Sequence, residues 1–311
     1  MCSMLLPRHL RNLRVDAAQH PRSQAYLSSV SALVRVQGMM YVVADDEHHL
    51  GSFEEAAPPG TSLTLLRLFE NDLPRDMEQR KAAKPDLEAL AQLPPLPGYP
   101  HGALLALGSG SRPQREAGVL LALDARGALT GGKAAVDLAP LYAPLRTRFA
   151  DLNIEGAFLA AGELRLLQRG NQGDARNACI RFKWNQVAPW LAGQRTLPPP
   201  VEAVMDMAVG EVDGVPLGLT DGAALAGGAW VFCAVAEDTD NSYQDGACIG
   251  SVVGLVESDG ALHTLHQLQG GPKVEGIAVQ TVGDTLVLTM VTDGDDPTLP
   301  SQLLEVILPY R

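Results

Sequence analysis

The chain has 311 residues, 46% of them hydrophobic and 19% charged, a balance that suits a packed globular protein and argues against disorder. Its formal net charge of −12 leaves no net positive field to gather phosphates, which speaks against nucleic acid or an anionic membrane surface as a partner. The opening "MCSMLLPRHLRNLR" is too short in apolar residues for a secretory signal, and no apolar run approaches the length of a membrane span. The expectation is a soluble, cytoplasmic monomer.

In chain order, "RNLRVDAA" (11–18) reads as a polar strand ahead of the first repeat. "SVSALVRV" (29–36) is followed by "MMYVVAD" and "TSLTLLRLFE", and then by the one clear helix candidate, "RDMEQRKAAK" (75–84). "PDLEALAQ" (85–92) leads into "ALLALGS", "AGVLLALD" and "KAAVDLA". "NIEGAFLA" (153–160) leads into "ELRLLQR", "ACIRFKW" and "EAVMDMA". "LTDGAALA" (219–226) leads into "AWVFCAVAE", "CIGSVVGLVE" and "ALHTLHQL", and "KVEGIAVQ" (273–280) into "TLVLTMVTD" and "SQLLEVIL". Each run is short, apolar and bounded by Gly, Pro, Asn or Asp, which is strand punctuation.

The five leading phrases share an anchor at Ser31, Glu88, Glu155, Asp221 and Glu275, spaced by 57, 67, 66 and 54 residues. A unit of four strands repeated five times describes a β-propeller blade. The fold expected is therefore all-β, a single five-bladed propeller over residues 1–311, with six blades as the alternative. The last unit has three strands, so the N-terminal strand is expected to complete it and close the ring, hiding two open edges.

"ADDE" (44–47), "KPDLEAL", "GSGS", "NIEGA" with "LLQRGN", "AEDTD" and "KVEGIAV" with "TDGDDP" together resemble an uncharacterised bacterial propeller family. More distantly, the EG anchors are similar to those of phytase-like and gluconolactonase-like propellers, and that resemblance implies metal-dependent hydrolysis of phosphoesters or lactones.

In a propeller the start of each innermost strand and the loop after each second strand meet at one mouth of the central channel. Glu88, Glu155, Asp221 and Glu275 are expected there with Asp293, as oxygen ligands for a divalent cation such as Ca²⁺ or Mg²⁺. Asp45 and Glu237 are the candidate general bases, and Arg112, Arg169 and Asn171 the groups to hold a small anionic substrate. Clustered carboxylates raise one another's pKa unless compensated. Arginine counter-charges, or backbone N–H groups of the adjacent blade, would compensate them as well as a metal. A residue recurring in every repeat is as a rule architectural. Two functions stay open: a metal-assisted hydrolase, or a non-catalytic propeller binding a small ligand or a partner's loop. Cys2, Cys179, Cys233 and Cys248 lack zinc spacing and are expected as thiols, although Cys233 and Cys248 are placed to pair.

Overall fold

The computed structural model describes residues 3–240 and 246–310, so Cys2 and the middle of the "AEDTDNSYQDGA" loop lie outside the described residues. The described residues form five sheets, antiparallel except for one short N-terminal strand. Their innermost strands are Val30–Val36, Leu87–Leu93, Ile154–Ala160, Val215–Ala224 and Val274–Val282. Each of these strands packs against the next in sequence, and the last against the first, so the sheets close into a ring of five blades.

The fifth blade is completed by the N-terminus: Arg8–Asn12 pairs antiparallel with Gln302–Pro309, slightly upstream of the strand expected at 11–18. Ser3–Leu5 runs parallel beside Leu262–Leu268 at the rim of blade 4. The N-terminal segment thus laces blades 4 and 5 together and removes two open edges.

Five hydrophobic clusters hold the ring, one at each blade interface. Along the second strand of blade 2, Ala103, Leu105 and Leu107 face blade 3, whereas Leu104 and Ala106 face blade 1. A strand with apolar neighbours on both faces carries a continuous apolar run rather than an alternating one. That explains "ALLALGS" and "AWVFCAVAE". Three features departed from the sequence pattern. The third strand of blade 1, His49–Glu54, contains Gly, Ser and His and gives little apolar signal. The helices Ala139–Arg146 and Trp184–Leu191 are short, Pro-containing connectors that read as loops. The expected helix is present as Met77–Ala83, with Asp76 capping its start by accepting from the Gln79 N–H at 2.9 Å.

Cys179, Cys233 and Cys248 are thiols. No described helix is long and apolar enough to cross a membrane.

A candidate cation corner at the channel mouth

The mouth is built by repetition. In every blade the ladder between the first and second strands slips by one residue, leaving an extra residue bulged out: Ser31, Glu88, Glu155, Thr220 and Glu275. A bulge turns its unpaired residue out of the normal alternation; here Ser31, Glu88, Glu155 and Glu275 line the mouth cavity. Two residues earlier stand Ser29, Asp86, Asn153, Gly218 and Lys273. Opposite four of these, across a backbone hydrogen bond, come Asp45, Ser109, Arg169 and Asp293. Blade 4 presents Val235 opposite Gly218 instead, and Glu237 reaches over from two residues further on.

The bulge places Asp221 elsewhere. In blade 4 the anchor by position is Thr220, and Asp221 occupies the site held by Gly156 and Gly276 in neighbouring blades. Its carboxylate does not line the mouth cavity. It accepts from its own neighbour Gly222 N–H at 2.8 Å and from Ile277 N–H of blade 5 at 3.0 Å, and also from Leu33 N–H of blade 1. Burial pushes its pKa well above the ordinary value, against those three donors. A Cβ at Gly156 would come within 2.9 Å of the Asp221 Cα, and one at Gly276 within 2.8 Å of Leu33 N, so the anchor glycines are needed for blades to approach the axis. Asp221 is a clasp joining three blades.

Arg169 fills the gap left by blade 4. A Cβ at Gly218 would lie 2.8 Å from the Arg169 Cγ, so glycine there gives the side chain its path across the axis. One terminal nitrogen meets Glu155 at 3.1 Å and Glu275 at 3.5 Å, and the other meets Glu237 at 2.5 Å. Both terminal nitrogens are thus taken by carboxylates of blades 3, 4 and 5. Lys273 answers Asp295 at 2.6 Å, Glu275 at 3.5 Å and Glu237 at 3.6 Å. Arg115 answers Asp86 at 2.7 Å. Glu237 further accepts from Gly246 N–H at 2.8 Å, so this candidate base is engaged on both oxygens.

The cavity holds about 250 Å³ and is lined by ten carboxylates against six cationic side chains. At one corner carboxylate oxygens of Asp45, Asp86 and Glu88 lie within 4.8 Å of one another. Glu88 makes no hydrogen bond or ion pair among the described residues, and the Asp45 Oδ1 is buried without a hydrogen-bond partner. Burial, with Glu155, Asp86 and Asp45 nearby, pushes the Glu88 carboxyl well above the usual range. Burial does the same to Asp293, with Lys273 opposing it. Two cations meet the corner: Lys84, whose Nζ contacts Asp45 and lies 2.9 Å from one oxygen of Asp86, and Arg115, which holds the other oxygen of Asp86.

The expected substrate-binding residues divide. Asn171 lines the cavity, but its amide donates to Asp151 at 2.8 Å and its carbonyl accepts from Asp174 N–H at 2.9 Å, bracing its own loop. Arg112 does not line the cavity. Lys84, Asp86 and Lys273 were missed by sequence reading; Asp86 and Lys273 lie two residues before their anchors, on the same edge of the strand. That offset was the available signal.

Glu155 also makes the mouth sensitive to pH. Burial, reinforced by Glu275 and Asp86 and opposed by Arg169, pushes it up to about 7. A carboxyl whose folded pKa exceeds its unfolded value contributes stability that is complete below the unfolded value, roughly 4.3, and is lost as pH rises through the folded one. Glu155→Gln should therefore flatten the fall in stability between about pH 4.5 and 7, as measured by urea unfolding across that range. An unchanged slope in the variant would contradict the assignment.

Solved structures share the fold at low identity. An α-L-arabinofuranosidase from Podospora anserina in complex with cellotriose superposes with a TM-score of 0.50 at 10% identity, covering 99% of this chain and 98% of that one. A luciferin-regenerating enzyme superposes at 0.47 with 11% identity, over 91% of this chain and 92% of that one. The Cps50 (Swd1) β-propeller domain from Myceliophteria thermophila gives 0.38 at 14% identity, over 91% and 72%. At such identities the likeness extends to fold alone. A search of curated proteins found no significant match. The family model that does match spans residues 26–308, and the chain belongs to that family, the family of unknown function DUF6929.

Proposed function

We propose that the mouth is the functional site and that it takes a divalent cation at Asp45, Asp86 and Glu88. The observation that carries this reading is the imbalance of partners. Arg169, Lys273 and Arg115 are engaged by carboxylates, while Glu88 and one oxygen of Asp45 are left without a partner among the described residues. A ligand entering the cavity therefore meets acceptors first. Hard oxygen ligands suit Ca²⁺, Mg²⁺ or Mn²⁺. Of the ligands expected from the sequence, Glu88 stays in the corner and Asp293 stands near Asp45. Glu155 and Glu275 are committed to Arg169, and Asp221 to the blade clasp.

The same corner supports the hydrolase implied by the phytase-like and gluconolactonase-like resemblance. A cation there supplies Lewis acidity. Glu155, close enough to Glu88 to raise its pKa and itself held near 7, is suited to move a proton at neutral pH. A small molecule bearing a neutral or metal-liganding oxygen fits this cavity better than one relying on arginine clamps.

Thermal unfolding tests the cation. A ligand that binds only the native state at about a hundredfold above its dissociation constant stabilises by about 2.7 kcal/mol. Ca²⁺, Mg²⁺ or Mn²⁺ should therefore raise the melting temperature of the chelator-treated protein, and Glu88→Gln should abolish the rise. An equal response in Glu88→Gln, or none in the wild type, would refute the assignment.

A further inference from the structure

The Met77–Ala83 helix lies beside the mouth, with Met77, Glu78, Arg80 and Lys81 lining the cavity. It is docked in an unusual way. The one buried residue of the helix is Arg80, so no apolar side chain of the helix anchors it. Arg80 instead donates from Nε to Asp46 at 3.1 Å, and Gln114 donates to the carbonyl of Ala82 at 3.3 Å. Lys84 closes the helix, donating its N–H to the Arg80 carbonyl, and its side chain then turns into the corner between Asp45 and Asp86. That side chain is 9% exposed. The adjacent loop residue His48 donates from Nδ1 to the Asn71 carbonyl at 2.5 Å, holding the segment that leads into the helix.

Of the corner's two cations, Lys84 is the one that sits between two of the carboxylates, and it is tethered to the element beside the entrance. An external cation at the same carboxylates must compete with it, because like charges so close in a partly desolvated site repel strongly. We infer that Lys84 is a built-in competitor for the cation corner, and that the Met77–Ala83 helix is released from the mouth when an external cation takes the place of its ammonium. The inference rests on the cation reading of the mouth and adds its regulation. A binding site closed by its own side chain shows an affinity reduced by the fraction of time it is open. Removing the competitor raises the apparent affinity by the inverse of that fraction.

The test is calorimetric titration of the chelator-treated full chain with CaCl₂, for the wild type, Lys84→Met and Lys273→Met. The third protein also loses a buried lysine paired with carboxylates, but one whose partners are Asp295, Glu275 and Glu237. With the corner open about a tenth of the time, Lys84→Met binds Ca²⁺ roughly tenfold tighter than the wild type, and Lys273→Met does not. Hydrogen exchange on the wild-type chain should show residues 77–84 losing protection when Ca²⁺ is added. Equal affinity in the wild type and Lys84→Met overturns the competitor and leaves the cation site standing. Absence of binding in both overturns the two together. Should Lys84→Met not fold, exchange on the wild type decides alone: unchanged or increased protection of 77–84 at saturating Ca²⁺ overturns the release.

Discussion

Asp221→Ala should cost about 4 kcal/mol of folding stability, more than any other single carboxylate of the axis. The side chain is 1% exposed, and it satisfies backbone N–H groups of Gly222, Ile277 and Leu33. Each buried donor left unpaired costs roughly 1–3 kcal/mol, and the rigid strands around the axis cannot turn those groups toward water. Asp221→Asn keeps one acceptor oxygen and should lose about half as much. Urea unfolding at neutral pH reads both. The loss should be the same with a divalent cation or a chelator present, because the carboxylate lies outside the cavity. A loss below about 1 kcal/mol would mean that the blades are not clasped there.

Arg169→Met is the second large effect. The variant would leave Glu155, Glu237 and Glu275 facing one another with Lys273 as the remaining cation shared by two of them. Breaking a buried charge network by removing one side destabilises by about 3–5 kcal/mol. The sign of its pH dependence is fixed. Burial already pushes the Glu155 carboxyl up to about 7 against Arg169; without that opposing charge it holds its proton more tightly still, so the variant's stability falls more steeply as pH rises. The deficit should therefore be largest near pH 8 and shrink toward about pH 5, where the Glu155 carboxyl is protonated. Denaturation at the two pH values decides it, and a deficit independent of pH would show that Arg169 acts by packing rather than charge.

The ring itself was legible because a propeller repeats one physical problem. Each blade must bury both faces of its second strand, which writes continuous apolar runs such as "ALLALG" and "TLVLTMVT" at regular intervals. The closing strand followed from a count of three strands in the last unit. The site was legible as a location and less so as a set of roles. Glu88, Glu155, Glu275, Asp45, Glu237 and Asp293 do converge at one mouth, since topology alone brings those strand ends together. Asp221 failed for a backbone reason: the blade 4 bulge falls at Thr220, one residue earlier, and letters aligned by acidity conceal a one-residue slip that reverses a side chain's face. Arg169 was read as a ligand clamp or a counter-charge. Only the three-dimensional gap over Gly218 shows which, because the partners Glu237 and Glu275 lie 68 and 106 residues away. Lys84 was hidden for a similar reason, sitting in a helical segment whose charges look like a solvated face.

The most direct measurement is anomalous scattering from a crystal of the full chain soaked in Mn²⁺. A peak bounded by carboxylate oxygens of Asp45, Asp86 and Glu88, with the Lys84 ammonium moved out of the corner, is the predicted result. A crystal showing no peak at the mouth at saturating Mn²⁺, with Lys84 still between Asp45 and Asp86, would contradict the cation site and leave the mouth's carboxylates as internal counter-charges of the ring.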